Sequence, residues 1–309
     1  MKRLMNVLLV LTVLLPGLAA CGGRPSVPAA QPLRVLAVET FLADIAQNVA
    51  GDRVQVESLL PLGVDPHSYE PTPGDVARVA EADLVIVNGG GLEGFLDDLI
   101  RNAGGGKQVL VASAGLTART PRAGEVADEE HEADPHFWLD PNNVVRYVEN
   151  IRDGLVQADP QGQEVYAQNA AAYITQLQEL DRWIAEQVAL VRPERRLLVT
   201  NHESFGYFAD RYGFQVVGAI VPSVSTGAAP SAQELAALVD RVRATGAPVV
   251  FLEAGVNPDL ANQIAQETGV RVVTGLYTHS PSGPAGPAPT YIDMIRYNTR
   301  AIVDALVER

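Results

Sequence analysis

Cysteine occurs once in the 309 residues, at position 21, so no internal disulfide can form. Histidine is scarce as well, with five copies at positions 67, 131, 136, 202 and 279. Basic residues number 23 against 37 acidic ones, and the net charge of -14 argues against nucleic acid or an anionic membrane surface as partner. That surplus of carboxylate is compatible with a cationic ligand, although solubility alone also accounts for it. A bilayer-spanning run is missing too: the apolar stretch from Val7 to Leu15 is well below the ~20 residues a spanning helix needs. What the chain does have is apolar bulk. At 47% hydrophobic content it can fill two core-forming lobes, because single cores stop growing near ~250–300 residues.

Met1-Lys2-Arg3 followed by the short apolar run reads as an export signal over residues 1–20. It closes on Leu18-Ala19-Ala20-Cys21, which resembles the lipobox of bacterial lipoproteins, where cleavage precedes the cysteine and its sulfur is lipidated. An ordinary secretory peptide cut after Ala20 would leave an incidental thiol instead. The resemblance implies a lipid on Cys21, with two acyl chains exceeding the marginal anchoring of one. Residues 21–32, rich in proline and glycine, then form a flexible tether. The expected location is extracytoplasmic and membrane-anchored.

Two of the histidines share a setting. Asp65-Pro66-His67 and Asp134-Pro135-His136 are loops by their proline content, and each X-Pro step fixes the backbone ahead of the imidazole. The neighbouring carboxylates, Asp65 and Asp134, are placed to hold the second ring nitrogen, which is how a metal ligand is prepared. His202 and His279 also stand where a strand should end or a loop should turn. These four histidines are read as one metal site. His131 lies in an acidic loop, residues 125–134, which offers loose cation-collecting carboxylates but reads more simply as solvated surface.

Strand-length apolar runs alternate with helical periodicity from Leu33 onward, which calls for an α/β fold with mostly parallel sheets and ligands at the carboxyl ends of the strands. From Gln161 to Val191, apolar residues recur at three- and four-residue spacing between Pro160 and Pro193, predicting one helix of about 46 Å. The expected architecture is therefore two lobes, each a mostly parallel sheet flanked by helices, joined by one long rigid helix. The boundaries are 33–159, 160–192 and 193–309. Gly89-Gly90-Gly91-Leu92-Glu93-Gly94 satisfies G-x-G-x-x-G after a strand, but no acidic residue follows about 20 positions on, so a tight turn is preferred over a dinucleotide site. His202-Glu203 opens like the zinc-protease motif H-E-x-x-H, yet position 206 is glycine and the motif fails.

Taken together, several long motifs make the chain similar to the metal-binding lipoprotein family of ABC importers, the solute-binding proteins for zinc and manganese. They are Asp65-Pro66-His67-Ser68-Tyr69-Glu70-Pro71, Gly91-Leu92-Glu93, Asp134-Pro135-His136-Phe137-Trp138-Leu139-Asp140-Pro141, His202 with Phe205-Gly206-Tyr207-Phe208, and Tyr291-Ile292-Asp293-Met294. The resemblance implies an ion held between two lobes, with His67, His136 and His202 at the first three ligand positions. At the fourth, the usual Tyr-Thr-Asp-Ser becomes Tyr277-Thr278-His279-Ser280. Either four imidazoles surround the ion, or three do so with water or a carboxylate such as Glu253 beside them.

The expected function is a monomeric receptor that captures a divalent ion and delivers it to a membrane permease with its ATPase subunit. Zn2+ is the expected ion, because all-nitrogen tetrahedral ligation suits it, and Mn2+ is the alternative, preferring more oxygen. A zinc hydrolase would need an open position and a base such as Glu203, and the sequence offers no catalytic motif. An adhesin on the same fold is a further alternative.

Overall fold

The structure is a computed structural model that describes residues 33–119, 134–224, 226–227 and 229–307. The export signal, Cys21, the tether, His131 and residues 125–133 of the acidic loop lie outside them.

The amino-terminal half runs β1 (Val35–Ala37), α1 (Thr40–Ala50), β2 (Val56–Ser58), α2 (Pro73–Glu81), β3 (Leu84–Val87), α3 (Leu96–Asn102), β4 (Gln108–Val111) and α4 (Pro141–Ala158). Its sheet is parallel throughout, in the order β2-β1-β3-β4, with Val35 opposite both Val56 and Leu84. After α5 (Gln163–Val188) come β5 (Leu197–His202), α6 (Gly206–Tyr212), β6 (Gln215–Val221), α7 (Ala232–Thr245), β7 (Val249–Glu253), α8 (Asp259–Thr268), β8 (Arg271–Leu276) and α9 (Tyr291–Val307). Here β5 pairs with β6 and β7 with β8, again in parallel.

Local chemistry accounts for where these elements begin and end. Periodicity alone starts the second helix at Asp75, but Thr72 and Asp75 form a reciprocal capping box with Pro73 in the first turn, so α2 begins at Pro73. Ser231 and Glu234 do the same for α7, which stops at Gly246 in the left-handed region at φ 69°. The long helix is shorter than the sequence suggests: 26 residues, or about 39 Å. Pro160–Gly162 and Pro193–Arg195 fold as separate 3-10 turns at its two ends. Helix α6 carries no periodic signal, because seven residues make barely two turns.

Strand side chains alternate between two cores, as period-two geometry requires. Val35, Ala37, Leu84 and Ile86 point into one central cluster, while Leu36, Val38, Val85 and Val87 point into a separate cluster completed by Val79 and Leu99. The carboxyl-terminal half repeats the arrangement, with Val249 and Phe251 in the central cluster and Val250 and Leu252 in an outer one with Leu238 and Ile264. Helix α5 runs through the middle, burying Tyr166, Ala170, Tyr173, Leu177, Leu180, Ile184 and Val188. It packs on α1, α4 and α9, so residues of both halves share the central core. The result is an α/β fold of parallel sheets flanked by helices, with the strands' carboxyl ends from both halves turned to one region.

Candidate metal centre

Four histidines meet in that region. His67 sits in the 3-10 turn Pro66–Ser68 after β2, and His136 precedes the turn Phe137–Leu139. His202 is the last residue of β5, and His279 follows the end of β8. The two Asp-Pro-His units fold alike: Asp65 Oδ1 accepts from the His67 amide at 2.9 Å, and Asp134 Oδ1 from the His136 amide at 3.0 Å. Each aspartate thereby closes a small turn on its own backbone and fixes the imidazole that follows the proline.

The Nε2 atoms converge. His67 to His136 is 3.3 Å, His67 to His279 is 3.2 Å, His136 to His202 is 3.2 Å and His136 to His279 is 3.4 Å. A tetrahedron of nitrogen donors at ~2.0–2.1 Å from a central ion has edges of about 3.3–3.4 Å. Those four of the six separations have the edge length of a zinc-sized tetrahedron, and the four ring nitrogens as a set lie within 4.8 Å of one another. His136, His202 and His279 are buried and His67 is half-buried. A cleft of about 490 Å³, lined in part by Asp65, Thr226, Glu253 and His279, adjoins the cluster.

Carboxylates stand behind the rings. Asp134 Oδ1 lies 2.9 Å from His136 Nδ1, and Glu253 Oε1 lies 2.5 Å from His202 Nδ1. The other Glu253 oxygen is 3.5 Å from His279 Nδ1. A carboxylate on Nδ1 fixes the tautomer that turns the Nε2 lone pair inward, and it raises the basicity of that nitrogen. Burial by itself would depress the His202 pKa, but the Glu253 charge and hydrogen bond outweigh it and hold the imidazole above its ordinary range. Burial likewise pushes Glu253 up, yet the two imidazoles win and keep its carboxyl well below the usual range. Glu253 thus faces the outer nitrogens of two rings, and the carboxylate weighed as a fourth ligand stands behind the cluster. Asp65 is also turned away, its second oxygen accepting from the Thr226 hydroxyl.

The glycine-rich turn is filled by the protein itself. Glu93 accepts from the Asn88 amide at 2.5 Å and the Gly89 amide at 3.1 Å, the donors a phosphate would need. Gly90 is held at φ 69° with a Cβ position 3.3 Å from the Pro135 backbone, so the turn packs on the loop that carries His136. Asn88 Nδ2 donates to the Pro135 carbonyl at 3.0 Å and completes that contact.

Residues 35–305 match the family described as "Zinc-uptake complex component A periplasmic". The chain belongs to that family. Members of known description include a manganese-binding lipoprotein of Halalkalibacterium halodurans, 34% identical over 93% of this chain and 94% of the relative. An iron-binding protein of Yersinia pestis is 36% identical over 88% and 86%. Among solved structures, the manganese-bound periplasmic metal binding protein of Candidatus Liberibacter asiaticus superposes with a TM-score of 0.79 at 30% identity, covering 89% of this chain and 99% of that one. The periplasmic zinc-binding protein of Treponema pallidum gives 0.80 at 28% identity over the same shares.

Two parts of this family member's site carry no warning in the sequence. Trp138 stacks on Phe41 at 4.4 Å and donates from its indole to the Thr278 carbonyl at 2.8 Å, so an amino-terminal loop fixes the residue before His279. Arg119 lies 3.6 Å from Asp134 through Nη1. A lone arginine after a strand has no periodic or motif signature, and only the folded chain brings it behind His136.

Proposed function

We propose that the protein is the extracytoplasmic receptor of a metal ABC importer and that it carries a divalent ion on His67, His136, His202 and His279. The observation that supports this most is the convergence of four imidazoles from both halves, their ring nitrogens within 4.8 Å of one another and four of the Nε2 pairs at 3.2–3.4 Å. Four facing lone pairs repel one another, and a cation at their centre converts that repulsion into four bonds. Asp134 and Glu253 place two negative charges beside a divalent ion, which lowers the cost of burying it.

Zinc is the ion this donor set fits, with four neutral nitrogens on tetrahedral edges. Manganese is the second reading, favoured by relatives that bear its name, such as the lipoproteins of Halalkalibacterium halodurans and Streptococcus pneumoniae. The same relatives support a lipid on Cys21 and delivery to a permease with its ATPase, since they are named as lipoproteins and transporter components. Those names, and a cluster whose four donors leave Glu203 outside it, support transport rather than hydrolysis. We also place the lobe boundaries at 33–159 and 193–309, on either side of a linking segment over 160–192.

Metal analysis of protein purified without chelator or nickel affinity resin, followed by competitive titration of zinc against manganese, tests the assignment. One equivalent of zinc and a preference for zinc are expected. Stoichiometric manganese with weaker zinc binding would transfer the assignment to the second reading, and protein that takes up neither ion would remove both.

A further inference from the structure

Glycine at position 206 is where the zinc-protease motif breaks down, and the fold gives that glycine a use. It opens α6 in the carboxyl-terminal half, and a Cβ there would fall 2.5 Å from Cζ and 2.7 Å from Nε of Arg119, which comes from the loop after β4 in the amino-terminal half. Such distances force a shift, and because the neighbour is the end of a flexible side chain, an alanine would displace the guanidinium from its place rather than break the helix. The guanidinium occupies that space with 9% of its side chain exposed, its Nε donating to Asp210 Oδ2 at 3.2 Å and its Nη1 facing Asp134 Oδ2 at 3.6 Å. Tyr207 fastens the same place: its hydroxyl accepts from the Arg119 amide at 3.2 Å and donates to the Asp134 carbonyl at 2.8 Å. Asp134 then uses its other oxygen on the amide and Nδ1 of His136.

We infer that Arg119 is a positioning residue for the metal site, acting through Asp134 on His136, and that Gly206 is the socket that admits it. The inference rests on the receptor reading above. Asp134 has two oxygens with different tasks. One aims an imidazole, and the other faces a cation whose own position is set by a helix of the opposite half. Without the guanidinium, the Oδ2 side of Asp134 loses a facing cation while Oδ1 keeps the His136 amide, and the His136 ring is held less firmly in its bearing. Residues that orient metal ligands in this way change affinity by about 10- to 100-fold when removed.

Zinc dissociation constants and release rates measured by chelator competition on Arg119→Ala, Gly206→Ala and the double variant test this. Each single change is expected to weaken zinc by about 10- to 100-fold and to speed its release. The double variant should be no worse than Arg119→Ala, because the three atoms nearest a methyl group at 206 all belong to the guanidinium. Arg119→Lys, slimmer and still charged, should recover part of the loss in the Gly206→Ala background, which keeps the test intact should Arg119→Ala fail to fold. A role in packing alone would lower the unfolding temperature in chelator and leave zinc affinity untouched. Wild-type affinity in both single variants, or losses that multiply in the double, would overturn the inference. Wild-type protein that binds no zinc would instead remove the receptor reading beneath it.

Discussion

Glu39 precedes α1, where a carboxyl side chain ordinarily turns back to cap the helix. Its side chain does not cap. It enters the core, 1% exposed, beside Glu93. Glu93 already receives the Asn88 and Gly89 amides, so it is the member suited to carry charge, whereas both Glu39 carboxyl oxygens are buried without a hydrogen-bond partner among the described residues and favour the neutral acid. Burial, then the charge of the neighbouring Glu93, push the Glu39 carboxyl well above its usual 4.5. The folded protein therefore binds a proton that the unfolded chain releases above that value. Stability from this proton is complete below pH 4.5 and is lost as pH rises toward the folded pKa, by up to about 1.4 kcal/mol per pH unit for one proton.

Glu39→Gln supplies a permanent donor of the same shape and removes the linked proton. As pH rises from 5.5 to 7.5 the variant should gain on wild type, at up to about 1.4 kcal/mol per pH unit for as long as the pH stays below the folded pKa. Urea unfolding of metal-free protein, held in chelator and run at both pH values, reads the difference directly. Other titrating groups cancel because both proteins contain them. Parallel pH profiles, with a gap that changes by less than about 0.5 kcal/mol, would refute the linked proton.

Zinc affinity should fall steeply from pH 7.5 to 5.5, because His202 sits above the ordinary imidazole range and must lose its proton to bind the ion; equal affinities at the two pH values would mean the histidines do not hold it. Zinc at a thousandfold excess over its dissociation constant should stabilise the fold by about 4 kcal/mol. Solution scattering should show little compaction on zinc binding, since one apolar core spans both halves, and a large closure would contradict that. Cys21→Ser should release the protein from membrane to soluble fractions with metal binding intact. His279→Asp should shift preference toward manganese while His279→Ala weakens zinc more than about 100-fold, and a silent alanine variant would reduce the site to three imidazoles.

Much of the fold is legible in the sequence because strand and helix periods are local. The apolar runs at Leu84–Val87 and Val249–Leu252 mark strands buried on both faces, and the spacing from Tyr166 to Val188 marks the long helix. Element ends are less legible, since the Thr72–Asp75 capping box and the 3-10 turns around α5 depend on single side chains and prolines. The four histidines stand out through scarcity and through the Asp-Pro steps. Their support does not. Glu253 lies 51 residues from His202, and its two oxygens serve rings from different strands, so only folding shows which nitrogen it faces. Glu39 and Arg119 are equally silent, because burial of a charge is a property of the packed chain.

Position 279 shows how such support constrains the ligand. With histidine there, Glu253 accepts from His202 Nδ1 at 2.5 Å, lies 3.5 Å from His279 Nδ1, and stays charged although buried. An aspartate in the same place would turn a carboxylate toward Glu253 with no hydrogen to share, and two buried like charges at that range raise each other's pKa. The ion would then be needed to hold the two together. His279 and Glu253 are therefore one device: imidazole at 279 lets the protein keep its outer carboxylate on two rings and present four neutral nitrogens inward. On the proposed reading, that pairing lets histidine stand where the resemblance implies aspartate without opening the site, and a preference for an ion content with nitrogen alone is the expected consequence.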